Sequence, residues 1–194
     1  DRVAEEVARH PAGCAEEEEV TDPLIVQQMQ ELFDTTFQDR SDGHRGAHRP
    51  RALEVVQVVR INNRGVRCDY LRRREQMRAA SGGAEHFETK TDPVDLSSMV
   101  QDLDQSLNEK ILFHGTAAEI AKAVLYTRVR VPGSKEDVSH GRLYGMGAYF
   151  AESVTKADQY VRPTAEGLYP MIINRVVLGR VREVTEAQPD AKGL

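Results

Sequence analysis

Apolar side chains recur at helical spacing in four stretches of this 194-residue chain, with short β-branched runs between them. Ile25, Met29, Leu32, Phe33 and Phe37 predict an amphipathic helix over 24–37, with Asp22-Pro23 as its cap and first residue. Leu53 to Ile61 (LEVVQVVRI) is apolar on both faces, the pattern of an interior strand. Val66, Tyr70, Leu71 and Met77 mark a second helix that ends before Ser81-Gly82-Gly83. Leu96, Met99, Val100, Leu103 and Leu107 predict a third over 95–108. Ile111 to Phe113 reads as a short strand. Thr116 and Glu119 then have capping-box spacing, with Ala117, Ile120, Ala121, Val124 and Leu125 as the buried stripe of a fourth helix. Further strands are expected near 128–131, 148–151 and 171–178, and Ser153 should cap a helix reaching about Tyr160. Residues 38–51 and 81–93 lack periodicity and read as loops. The sum is an α+β chain without internal repeats.

Composition narrows this picture only modestly. Apolar residues make up 40% of the chain, enough for one core, and the net charge of −5 implies no global attraction to nucleic acid or an anionic membrane. No apolar run is long enough to span a bilayer. Cys14 and Cys68 have no metal or disulfide spacing, which favours a reducing, intracellular compartment, cytoplasmic or nuclear. Glu5, Glu6 and Glu16 to Glu19 make residues 1–21 an acidic segment, expected as a flexible tail or short exposed helix ahead of a domain over 22–194. Residues 40–78 hold eleven arginines. A solvated face explains them better than a nucleic-acid contact, which stays a weak second reading. The chain opens on Asp1 and not Met, as a piece of a longer protein would.

The chemistry concentrates in Leu112-Phe113-His114-Gly115-Thr116, in Gly141 to Ala151 (GRLYGMGAYFA), and in Tyr160. A single HGT or GxG reads as a turn, and a lone histidine as a satisfied core or surface residue. The ordered set resembles the poly(ADP-ribose) polymerase catalytic domain, the ADP-ribosyltransferases with a His-Tyr-Glu signature, over about residues 24–180. That resemblance implies two packed, mostly antiparallel sheets with flanking helices. It implies NAD+ as co-substrate without a metal, and transfer of ADP-ribose to a macromolecular acceptor, a protein before a nucleic acid, with release of nicotinamide. His114 and Tyr149 would be the catalytic signature residues. Gly115 would grip the carboxamide through its backbone, and His114 and Thr116 would contact the adenosine ribose. Tyr149 and Tyr160 would stack on opposite faces of the nicotinamide, with Gly147 in the turn leading to Tyr149. Arg130, at the start of a polar loop over 130–140, would lie near the adenine.

Such a set suits the reaction. The leaving ring is flat and cationic, so aromatic faces attract it. Glycine lets backbone come close to a carboxamide. The bond breaks through an oxocarbenium-like state that a carboxylate would stabilise. Two departures stand out. Ala157 replaces a serine that would donate to the carboxamide, so weaker NAD+ binding is expected and Ala157→Ser should lower the apparent KM. The signature glutamate is absent: Glu183 and Glu186 follow Gly179 too closely, and the closing strand is missing. The piece by itself is therefore expected to be poorly soluble or inactive. Whether one unit or a chain is added would depend on the residue at the glutamate position. The competing function is a catalytically silent binding or interaction module with the same fold. A dinucleotide-binding dehydrogenase domain fails, because Gly145-Met146-Gly147 has no third glycine at the required spacing and does not join a strand to a helix.

Overall fold

The computed structural model describes residues 15–39, 50–80, 82–127, 129, 131 and 144–186. Among the described residues four strands and four α-helices follow in the order β1 (Ala15–Glu19), α1 (Pro23–Thr36), β2 (Val59–Asn63), α2 (Arg64–Ala80), β3 (Glu109–Gly115), α3 (Ala118–Tyr126), α4 (Val154–Asp158) and β4 (Met171–Val177). The fold is α+β with two small antiparallel sheets, β1 with β2 and β3 with β4. No helix among the described residues is long and apolar enough to cross a membrane.

The core forms where α1, β3 and α4 meet. Met29 and Leu32 of α1, Ile111 and Phe113 of β3, and Val154 and Ala157 of α4 close around Val94 and Leu96. Phe33 meets Phe113 edge to face, with centroids 5.7 Å apart. α1 starts as its sequence dictates, with the Asp22 carboxylate accepting from the Leu24 N–H at 2.9 Å and Pro23 following. Its other end is sewn to α4. The Thr36 hydroxyl accepts from Val154 N–H, and the Thr155 hydroxyl accepts from Gln38 N–H at 2.8 Å.

Several expectations change. The glutamates of 15–19 form a strand and not a helix or tail, because β2 offers partners: Glu18 lies opposite Arg60 and pairs with it at 3.5 Å. The strand expected over 53–61 becomes regular only at Val59. Before that, Leu53 C=O and Val55 N–H are held by the side-chain amide of Gln30 on α1, which supplies the bonds a ladder would have given. The helix expected over 95–108 is absent. Its apolar residues reach the core through turns and one 3-10 turn over Gln105–Leu107. Asp102 at φ 59° and Asn108 at φ 49° break any helix there, and Arg175 holds the carbonyls of Gln101 and Asp102. The strand near 148–151 reduces to one bridge between Ala151 and Phe113, with bonds of 2.8 and 2.9 Å. The strand expected near 128–131 and the loop over 130–140 lie wholly or partly outside the described residues.

β3 carries a buried charge at its start. Glu109, with no exposed side-chain surface, accepts from Tyr70 Oη, Arg74 (3.2 Å), Arg175 Nε (2.5 Å) and the Asp104 N–H (2.7 Å). Burial alone would push this carboxyl up. The Arg175 guanidinium, the Tyr70 hydroxyl and the Asp104 N–H outweigh it and hold the group down at about 2. Burial and the neighbouring carboxylate raise the Tyr70 phenol. Lys110, next along, is also buried and meets Asp92 at 2.7 Å. These ties fix β3 to α2, β4 and the 89–104 turns, so its far end points reproducibly at the site.

Candidate active site

The last two residues of β3 emerge from the core. Glu109 to Phe113 are buried, whereas His114 and Gly115 are only partly so. Their placement depends on α4 and on the segment before it. The imidazole Nδ1 of His114 lies 2.9 Å from the carbonyl oxygen of Tyr149. A carbonyl can only accept, so Nδ1 carries the proton. In the neutral ring Nε2 is then an unprotonated acceptor, suited to a hydroxyl of a ligand. Phe150 backs the same imidazole at 5.7 Å between centroids. The sequence suggested only core packing for Phe150; its partner is in fact the site histidine.

Gly115 is needed for a reason the sequence did not give. A Cβ there would sit 1.9 Å from the carbonyl oxygen of Ala157 and 3.1 Å from Val161 Cγ2. The absent side chain thus makes room for α4. The same Ala157 carbonyl accepts from Tyr160 N–H at 3.0 Å. Gly115 and Tyr160 therefore converge on one backbone oxygen. Ala157 itself is 2% exposed and belongs to the core cluster.

Tyr149 is fixed twice. Its carbonyl holds His114, and its hydroxyl donates to the Gly145 carbonyl at 2.6 Å. Gly145 has φ 86°, a conformation open to glycine and strained for other residues, so the turn it makes can close back over the phenol. Among the described residues a Cβ at Gly147 would meet nothing within 4 Å. Tyr149 and Tyr160 keep 41% and 43% of their surface. Plain core packing would have buried both rings; partly free aromatic faces are what a flat ligand requires.

Thr116 is half-buried and does not cap α3. The cap position falls to Ala117, without a side-chain bond, and Ala117 bridges to Arg162. The capping-box spacing misleads here because that bridge carries β3's direction on beyond Thr116 before the helix begins. Arg130 lies outside the described residues. Lys156 was not singled out by sequence, although its place four residues before Tyr160 on a helical path was a signal. Its ammonium lies 5.8 Å from the Tyr160 ring centroid.

What these residues offer is an imidazole acceptor, a close backbone approach at Gly115, and two accessible phenol rings. Comparison with known proteins gives this a lineage. The family model for the poly(ADP-ribose) polymerase catalytic domain matches residues 31–194. A curated relative, poly [ADP-ribose] polymerase tankyrase of Caenorhabditis elegans, is 33% identical over 75 residues. That match covers 39% of this chain and 3% of the relative, so the chain spans a small part of that protein's length.

Proposed function

Because the chain belongs to the poly(ADP-ribose) polymerase catalytic domain family, we propose that it binds NAD+ and transfers its ADP-ribose to a macromolecular acceptor, a protein, releasing nicotinamide. One observation carries the reading. The bond from His114 to the Tyr149 carbonyl holds the HGT strand against the tyrosine segment and leaves Nε2 as an acceptor.

In this reading Nε2 of His114 accepts from a ribose hydroxyl of the dinucleotide, and Thr116 adds a second ribose contact. Gly115, lying against Ala157, presents its backbone to the carboxamide, and Gly147 leaves room for the ring. Tyr149 and Tyr160 bracket the nicotinamide; an aromatic face with no cation of its own attracts a cationic ring by ~0.5–2 kcal/mol. The bond between ribose C1′ and the ring nitrogen breaks with its electron pair going to nicotinamide. The acceptor's nucleophile then bonds to C1′ and releases its proton. The chain's share is orientation: aligned reactants and a fixed ring lower the barrier without a covalent enzyme intermediate.

The test is release of nicotinamide from NAD+ by the chain extended through the signature-glutamate position. His114→Ala should abolish it while leaving thermal stability nearly unchanged, since that imidazole is partly exposed and, among the described residues, is held by a hydrogen bond to the Tyr149 carbonyl and the ring of Phe150. Undiminished release by the variant overturns the proposal. NAD+ binding without release by that extended protein would assign the chain to the silent-module class.

A further inference from the structure

The contact between Lys156 and Tyr160 bears on which ring charge the site accepts. The Lys156 ammonium sits 5.8 Å from the Tyr160 centroid, within the range of a cation–π contact, and donates to Gln159 Oε1 at 3.3 Å. Two contacts therefore keep a positive charge at the ring, although the lysine is exposed. Tyr160 in turn is tied to the Gly115 neighbourhood through the Ala157 carbonyl. The phenol that would bracket the nicotinamide thus has a resident cation.

We infer that Lys156 makes this aromatic site select on ring charge, favouring a neutral pyridine carboxamide over a cationic pyridinium. The ammonium already draws on the π electrons that would attract a second cation, and it repels one stacked on the ring. A neutral ring loses neither. The inference rests on the NAD+ reading and sharpens it. The nicotinamide of NAD+ is cationic while bound to ribose and neutral once released. A resident cation disfavours the first state relative to the second, so it helps charge leave the ring as the bond breaks.

The experiment avoids the pyrophosphate, whose own attraction to lysine would confuse the result. Dissociation constants of nicotinamide and of 1-methylnicotinamide, its permanently cationic counterpart, are measured on the purified wild-type protein and on Lys156→Met and Lys156→Arg. Methionine keeps a stem without the charge, and arginine keeps the charge. The penalty of the added methyl group is common to all three proteins and cancels. The preference for the neutral ligand should shrink about threefold to tenfold in Lys156→Met, as expected for one screened charge at this range. It should persist in Lys156→Arg, and the gap between variants should narrow at high salt. An unchanged preference in Lys156→Met, with both ligands still bound, overturns this inference and leaves the NAD+ reading standing. Failure of nicotinamide to bind the wild type, together with no nicotinamide release by the extended chain, overturns both.

Discussion

Replacing Glu109 by glutamine tests how β3 is held. The substitution keeps the shape and removes one charge. The Glu109 side chain has no exposed surface, while the side chains of Arg74 and Arg175 around it are 17% and 23% exposed. Arg175 would keep two carbonyl acceptors, Gln101 and Asp102, but no countercharge. Arg74 fares worse, because its Nε is buried without a partner already. Removing one partner of a buried ion pair typically costs about 3–5 kcal/mol, mostly from the charge left uncompensated. For a chain of this size that lowers Tm by roughly 6–20 °C.

The acid limb of the stability curve gives a second measure. Glu109 titrates near 2 in the folded chain against an ordinary value of 4.5. A depressed carboxyl contributes stability that is complete above about pH 4.5 and is lost as pH falls through about 2. The integrated contribution is about 3 kcal/mol. Urea titrations of wild type and Glu109→Gln at pH 7 and at several values down to pH 3 would show it. The variant should have a lower midpoint at pH 7, an unchanged m-value and a flatter loss in acid. Adding Arg74→Met to the variant should recover part of the loss by removing a stranded charge. A variant within about 0.5 kcal/mol of wild type at pH 7, with the same acid slope, would refute the account.

Two further substitutions probe the site. Gly115→Ala places a methyl group 1.9 Å from backbone oxygen on α4, so α4 must shift. A loss of at least 2 kcal/mol in urea titration, with loss of nicotinamide release, is expected, in the range of overpacking against backbone. Tyr149→Phe keeps the ring but removes the bond to the Gly145 carbonyl. That bond is worth ~0.5–1.5 kcal/mol, so steady-state kinetics should show a severalfold rise in KM for NAD+ with kcat nearly retained.

Much of this protein was legible in its residues because local chemistry decided it. Asp22-Pro23 starts a helix wherever the next turn can bury Ile25 and Met29, and the structure starts it there. The order His-Gly-Thr, Gly-Met-Gly-Ala-Tyr and Tyr identifies the family without coordinates, because each short motif specifies a backbone shape and a chemical group together. Spacing failed where side chains from distant elements supplied what a ladder or helix would have supplied. Leu96 to Leu107 have helical periodicity, yet Asp102 and Asn108 turn left-handed and Arg175 holds the intervening carbonyls. Periodicity reports which residues face the core, not the route the backbone takes to bring them there.

The burial of Glu109 among Tyr70, Arg74 and Arg175 ties it to residues up to 66 positions away, and no local pattern encodes it. Gly115 was marked as a place needing glycine; that the intruding neighbour is the Ala157 carbonyl required α4 to be laid against β3. The sequence by itself determined which groups are available and in what order, because identity and spacing are covalent facts. The tertiary structure alone decided the proton position on His114, the closure of Tyr149 on Gly145 and the cation beside Tyr160, because each depends on distances the chain acquires only once its core has closed.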